Sequence, residues 1–371
     1  MSDENATSGG EPRINQAQAC LLAGAIGDAL GSAVEFKSTR QIQDAFSREG
    51  ITDFAPAYGR IGAITDDTQM MLFSAEGLIR ALVRGYTRGM VDIPSVVHHA
   101  LLRWLLTQGV EPGREGSSIR AKIDRHVGLV QEKALWSCRA PGTTCLQSLK
   151  AAHSFGEYPV NDRKGCGALM RSAPFAFWTQ PFENASACAK LTHAHPTGYL
   201  SAGLFAEILA GMMEEGVQSP AQLQELLERV LARRSALPGA EECVQSIREV
   251  LTLFTQGRLA SPQHIDEFGA GWLANEALAI GLWCALSATT LEQGLILAVN
   301  HGGDSDSTGM IAGNLLGIMH GVQAIPKRWL NRLELGELIA QLARDLIQVP
   351  AMCMSQGEDL DDVIMDRYPG I

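Results

Sequence analysis

Two stretches of this chain concentrate oxygen ligands, Thr65-Asp66-Asp67-Thr68 and Asp304-Ser305-Asp306-Ser307-Thr308. Each precedes an apolar or glycine-rich run, so the ordinary alternative for each is a helix N-cap. A cap needs one side-chain oxygen, and here several stand in a row. Gly302 and Gly303 permit a tight loop before the second cluster, and its D-x-D spacing can turn two carboxylates toward one point. Together the clusters supply four carboxylates and several hydroxyls, with no thiolate. A Mg²⁺ ion takes about six oxygens at roughly 2.0–2.1 Å, so this donor set suits Mg²⁺ or Mn²⁺ better than zinc or copper. Four carboxylates can carry two ions roughly 3.5–4 Å apart, an arrangement used in hydrolysis and phosphoryl chemistry. The calcium-loop alternative fails because no glutamate stands at the twelfth position.

Two further acids lie near the first glycine-rich segment. Asp28 and Glu35 are seven residues apart, two helical turns, and point along one helix face. Asp28, among Gly24, Ala25, Ile26 and Gly27, is either a buried hydrogen-bonded carboxylate or part of a site. Glu35 sits at the helix end, where a carboxylate gains nothing from the dipole, and is the better functional candidate. His98-His99 lies inside a helical pattern and reads as structural. His193 and His195 form an H-x-H pair, but with oxygen ligands elsewhere, loop or helix-end hydrogen bonding is the expected role. His301, next to the second cluster, is placed to orient Asp304.

The elements that must position these groups are helical. Apolar periodicity predicts helices over Ala17–Phe36, Asp67–Arg84, Ile93–Thr107, Ser118–Lys133, Ala187–His193, Thr197–Glu215 and Pro220–Arg233. It continues with Ala240–Thr255, Ala270–Leu286, Thr290–Val299, Asp306–Gly321 and Leu333–Ile347. Alternating Val/Ile/Thr/Tyr runs are missing and only 6% of residues are aromatic, so the fold class is all-α. Gly309, Gly313, Gly317 and Gly321 recur every four residues, a bare strip that lets another helix approach closely. Gly or Pro marks loops at Val110–Ser117, Ser137–Thr143, Phe155–Gly165 and Gln256–Gln263. The polar segment 1–16 reads as a flexible tail before a single domain over 17–371.

Composition removes several classes of function. The net charge of -11 argues against nucleic acid or an anionic membrane as partner. Eight scattered cysteines without a CxxC read as reduced thiols. No signal peptide or transmembrane run is expected: no apolar run reaches 18 residues, and the longest candidate, Ser201 to Met213, contains Glu207. A cytosolic protein, monomeric by default, is the expectation.

Five ordered blocks between about Ala17 and Gly321 resemble the ADP-ribosylglycohydrolase family, the ADP-ribosyl-acceptor hydrolases. They are Gly24-Ala25-Ile26-Gly27-Asp28-Ala29-Leu30-Gly31 with Glu35 after it, Thr65-Asp66-Asp67-Thr68, Gly165-Cys166-Gly167-Ala168-Leu169-Met170-Arg171, Thr192-His193-Ala194-His195-Pro196, and Asn300-His301-Gly302-Gly303-Asp304-Ser305-Asp306-Ser307. The resemblance implies an all-helical fold around a binuclear Mg²⁺ or Mn²⁺ centre that frees ADP-ribose from a modified acceptor. It implies Thr65, Asp66, Asp67, Asp304, Asp306 and Ser307 as metal ligands, and Glu35, Asp66 and Asp304 as catalytic. Gly165, Cys166, Gly167, Met170 and Arg171, with His193, His301 and Gly302, would contact the substrate. Three positions depart from the pattern. Ser307 stands where threonine is common, Cys166 where asparagine or histidine is frequent, and Ile64 where an aromatic often precedes the block; no metal carboxylate is lost.

On this reading water displaces an N- or O-linked acceptor through an oxocarbenium-like transition state, and Glu35, in preference to one of the metal-bound aspartates, takes the water's proton. The expected substrate is an ADP-ribosylated protein, by preference through arginine, and one expected role is immunity to an ADP-ribosyltransferase toxin. The competing reading is a binding protein whose segment 1–16 occludes such a transferase. A third is a dinuclear phosphohydrolase releasing phosphate from nucleotides.

Overall fold

The computed structural model describes residues 10–113, 115, 117–354 and 362–370. Sixteen α-helices occur among them, beginning with α1 (Gly10–Gly31), α2 (Thr39–Ala45), α3 (Asp66–Arg88), α4 (Ile93–Thr107), α5 (Thr143–Ala151) and α6 (Pro181–Ala189). There follow α7 (Pro196–Glu215), α8 (Pro220–Arg234), α9 (Glu241–Thr255), α10 (Pro262–Phe268) and α11 (Ala274–Ser287). The last are α12 (Leu291–Val299), α13 (Ser305–His320), α14 (Lys327–Leu330), α15 (Gly336–Met354) and α16 (Asp362–Arg367). The strands among the described residues, Pro56–Ala57 and Arg60–Ile61, form one two-residue antiparallel pair. The all-α expectation holds.

The centre of the molecule is the pair α1 and α13, and glycine is what allows it. A Cβ added to Gly27 would stand 2.0 Å from the Gly309 carbonyl oxygen, and one on Gly313 would stand 2.2 Å from that of Ala23. On Gly31 it would lie 2.4 Å from the Asp306 Cα. The two helices therefore meet backbone to backbone over several turns, and α11, α12 and α15 pack around them. Gly309, Gly313 and Gly317 make this seam. Gly321 does not, and at φ 77° it ends α13.

Helix α1 starts seven residues before the expected boundary. Gly10–Gln16 are helical and Ile14 is buried, so the expected tail 1–16 loses these residues to the fold, and 1–9 lie outside the described residues. The expected helix Ser118–Lys133 is instead three short 3-10 turns, Arg120–Lys122, Gly128–Gln131 and Lys133–Leu135. A buried ion pair between Arg103 and Glu76 explains this, because it claims the backbone groups a helix would use. Arg103 donates to the carbonyls of Asp124 and Val127, and Glu76 accepts the Leu129 amide at 3.0 Å. The expected helix Ala187–His193 lies earlier, as α6, with Pro181 in its first turn. His98 and His99 are structural, accepting the amides of Gly156 at 3.0 Å and Asp124 at 3.2 Å.

Candidate active site

The acids of the two clusters stand at the N-termini of α3 and α13, beside the end of α1. Asp28, fully buried in α1, holds the start of α3 in place. Its carboxylate accepts the Thr65 amide at 3.0 Å, the Thr68 amide at 3.2 Å and the Thr68 hydroxyl. Asp28 is thus a structural carboxylate at a helix N-terminus, where negative charge is stabilised. Burial, and then the charge of Asp306, push its pKa up to about 7. Thr65 caps α3 by accepting the Asp67 amide at 3.2 Å.

Asp66 and Asp67 follow in the first turn of α3. Asp67 accepts the Ser307 hydroxyl at 2.7 Å, so the two clusters touch across 240 residues of sequence. Asp66 accepts the Gly142 amide at 3.3 Å. The loop carrying Gly142 is pinned by Arg139, which is buried in an ion pair with Glu334 and donates to the Ile64 carbonyl at 2.7 Å. Sequence reasoning missed this brace; its two halves are 195 residues apart and share no motif.

Asp304 and Asp306 enter from the other side. Asp304 is anchored through its amide to the Ala270 carbonyl at 2.9 Å and accepts the Cys166 thiol at 2.7 Å. Burial pushes that thiol's pKa up, so Cys166 stays protonated as the donor. The chain leaving α1 turns back through Phe36, at φ 66°, and delivers half-buried Glu35 to the same place. Glu35, Asp304 and Asp306 each offer an oxygen within 4.8 Å of the others.

Such crowding has an electrostatic consequence. Burial, then the charges of Asp306, Asp304 and Asp66, push the Glu35 pKa up to about 10. Burial and mutual repulsion also raise Asp66, Asp67 and Asp304 well above the ordinary carboxylate range, and burial raises Asp306 above it. Glu35 Oε2 is buried with no hydrogen-bond partner among the described residues. An orphaned acceptor beside converging carboxylates fits divalent cations that take oxygen ligands.

The pH behaviour of the chelated protein follows. An unfolded Asp or Glu ionises near 3.8 to 4.5, whereas folded Asp28 and Glu35 hold protons to about 7 and about 10. Across that window the folded state binds more protons, so its stability falls as pH rises. In EDTA, the melting temperature is expected to drop between pH 5 and pH 9, and Mg²⁺ to restore most at the higher pH. A flat profile would show that the acids are not held together in solution.

A cavity of about 230 Å³ opens onto these acids. Glu35, Asp66, Asp67, Asp304, Asp306 and Ser307 line it, and so do Gly165, Cys166, Gly167, Met170 and His193. Gly165 lies in a backbone bridge to Leu273, and the Cys166 amide donates to the Trp272 carbonyl at 3.1 Å. His193 pairs with the Thr192 hydroxyl at 2.9 Å, and burial lowers its pKa to about 3, so the ring is neutral.

Four expected residues lie elsewhere. Thr65 stands behind the acids as the cap of α3 and is not among the lining residues. Arg171 is buried and braces the 165–171 loop from behind, donating to the Gly167 carbonyl at 2.7 Å and the Thr192 hydroxyl at 2.8 Å. His301 pairs with the Thr308 hydroxyl at 2.8 Å, and Thr308 in turn donates to the Asp304 carbonyl at 2.9 Å. The Gly302 amide donates to Asp266 at 2.7 Å.

The rim was not read from the sequence. Trp272 lines the cavity and stacks on Phe36, with ring centroids 5.4 Å apart and planes 18° from parallel. Both rings are exposed, Phe36 at 67% and Trp272 at 40%. The pair puts a stacked aromatic surface beside a polar cavity.

Comparison with known proteins points one way. A family model described as ADP-ribosylglycohydrolase matches residues 10–355. An ADP-ribosylarginine hydrolase, Tri1, of Serratia proteamaculans is 25% identical, covering 90% of this chain and 79% of its own. An ADP-ribosyl-[dinitrogen reductase] glycohydrolase of Rhodospirillum rubrum is 26% identical, covering 86% and 91%. A solved structure titled ADP-ribosylglycohydrolase-related protein complex superposes with a TM-score of 0.65 at 25% identity, covering 91% of this chain and 99% of that one.

Proposed function

Because the chain belongs to the ADP-ribosylglycohydrolase family, whose members hydrolyse ADP-ribosyl glycosidic bonds, we propose that its acidic cavity frees ADP-ribose from modified protein side chains, arginine-linked by preference. The observation that carries this is the convergence of Glu35, Asp304 and Asp306 within 4.8 Å, with one Glu35 oxygen unpartnered. Asp66, Asp67, Asp304 and Asp306, with the Ser307 hydroxyl, would hold two Mg²⁺ or Mn²⁺ ions, and Thr65, behind them, would support Asp67 through its amide. When bound, such ions order sugar hydroxyls and acidify water.

The reaction breaks the bond from the anomeric carbon of ribose to the acceptor nitrogen and forms one to water oxygen. The transition state carries positive charge on the sugar, which nearby carboxylates favour. Glu35 takes the proton of the attacking water, since Asp66, Asp67, Asp304 and Asp306 are committed as ligands, and the departing guanidine nitrogen takes up a proton from solvent. Burial raises the Glu35 pKa most and the charges of Asp306, Asp304 and Asp66 add to it, so neutralising those three acids would bring Glu35 closer to the ionised form a base needs. Gly165 and Gly167 offer backbone without side-chain bulk to the ADP-ribose, and neutral His193 offers a ring edge. Phe36 and Trp272, at the rim, face the acceptor.

The proposed test is release of ADP-ribose from an arginine-ADP-ribosylated protein, with Mg²⁺ or with EDTA. Release should require the cation, and Glu35→Gln should lower kcat by roughly 10²- to 10⁴-fold, the range for a lost general base, with KM little changed. Release unaffected by EDTA would remove the cations from the reading. The immunity role rests on the same activity. The occluding-arm alternative is narrowed, because Gly10–Gln16 are committed to α1.

A further inference from the structure

A second cleft, of about 790 Å³, lies at the far end of α3 from the acids. Arg80, Arg84 and Arg88 line it at four-residue spacing, one face of the helix, and Lys122 lines it from a neighbouring loop. Arg80 lies 14 residues beyond Asp66, about 21 Å along a helix that rises 1.5 Å per residue. The cleft is therefore separate from the acidic cavity. Among the described residues its one lining carboxylate, Asp92, accepts the amide of Ser95 at 3.0 Å and its hydroxyl at 2.5 Å. Among the described residues, Arg80, Arg88 and Lys122 around one occupied carboxylate are a strong local departure in a chain of net charge -11.

Arg80 shows what the cleft lacks. It is only 1% exposed, and its Nη2 donates to Asp124 at 3.3 Å. Its Nη1 is buried with no hydrogen-bond partner among the described residues. A buried guanidinium with an idle donor, lining a cationic cleft, is a site for an acceptor oxygen. Beside Ser95 and His99, the remaining walls are apolar. Met90 is 81% exposed, Val91 41%, and the Phe155 ring meets His99 edge-on with centroids 5.2 Å apart.

We propose that this cleft is a second binding site, for a small organic phosphate whose anionic group pairs with Arg80, Arg88 and Lys122 and whose ring covers Met90, Val91 and Phe155. Nucleotides and aryl phosphates share that chemistry, a phosphate joined to an aromatic ring directly or through a sugar. The acidic cavity cannot take the same group without cations, so the two sites are distinguishable in chelator.

Phenyl phosphate is the probe, titrated calorimetrically into the full chain in EDTA, beside inorganic phosphate. Phenyl phosphate is expected to bind at one site per chain and at least tenfold tighter than inorganic phosphate. Replacing the surface pair, Arg88→Glu with Lys122→Glu, should weaken it at least tenfold and leave ADP-ribose release with Mg²⁺ unchanged. Arg80→Met should weaken it as much; should that variant fail to fold, the surface pair still decides. Adenosine monophosphate binding more tightly than phenyl phosphate, and losing affinity in the same surface variant, would assign the site to nucleotides. No saturable binding of phenyl phosphate, or binding equal in wild type and surface variant, would overturn the proposal.

Discussion

Asp304→Ala is expected to lower ADP-ribose release about a thousandfold, equivalent to roughly 4 kcal/mol of barrier, without unfolding the protein. Three observations set the size of the effect. Asp304 supplies an oxygen to the cluster with Glu35 and Asp306, its carboxylate takes the Cys166 thiol at 2.7 Å, and it lines the cavity. Removing it deletes a proposed cation ligand and one of the charges offered to the positive sugar. The fold should tolerate the loss because Asp304 is a burden to the cation-free molecule. Its charge raises Glu35, and its own pKa is raised by burial and by Asp306. The melting temperature in EDTA should therefore be unchanged or higher at pH 8, and Mg²⁺ should raise it less than in wild type. Asp304→Asn, which keeps an acceptor for Cys166, should be as inactive. Full activity in either variant would take Asp304 out of the chemistry.

The largest effect on stability is expected at Gly27. A Cβ there would stand 2.0 Å from the Gly309 carbonyl oxygen and 2.3 Å from its carbon, and both atoms are backbone. No side-chain rotation relieves that contact, so α1 and α13 must separate. Overpacking a core costs about 1–3 kcal/mol and occasionally more; here, with helix against helix, Gly27→Ala should reach about 3 kcal/mol or prevent folding. Gly10→Ala is the control. Nothing lies within 4 Å of a Cβ at Gly10, and alanine there should be neutral or slightly stabilising. Denaturant midpoints of the two variants against wild type measure the difference. A near-neutral Gly27→Ala would mean that α1 and α13 do not meet backbone to backbone at this turn.

Much of this molecule could be read from local pattern. Helix α4 was expected over the residues it occupies, and α7, α8, α9 and α12 were expected within one residue at each end, because capping residues and apolar periodicity are local signals. The acids were legible for the same reason, since oxygen-rich runs before apolar helices are visible in a single strand of text. What could not be read depends on distant partners. Segment 118–133 has helical periodicity, yet Arg103 and Glu76 spend its backbone groups on themselves. Arg171 and His301 belong to matching blocks but point away from the cavity, toward Gly167 and Thr308, a direction that no sequence spacing encodes. Phe36 and Trp272 meet across 236 residues and carry no motif at all.

That aromatic pair gives the molecule an optical property. Of its six tryptophans, Trp104, Trp283 and Trp329 are sealed in the core, whereas Trp272 stands half in water at the mouth of the acidic cavity. Indole emission shifts with the polarity around the ring, so a guest that covers Trp272 should move its emission toward the blue, and Trp272→Phe should abolish the change. Entry and exit of ADP-ribose would then be visible in real time by stopped-flow fluorescence, without a label and apart from turnover.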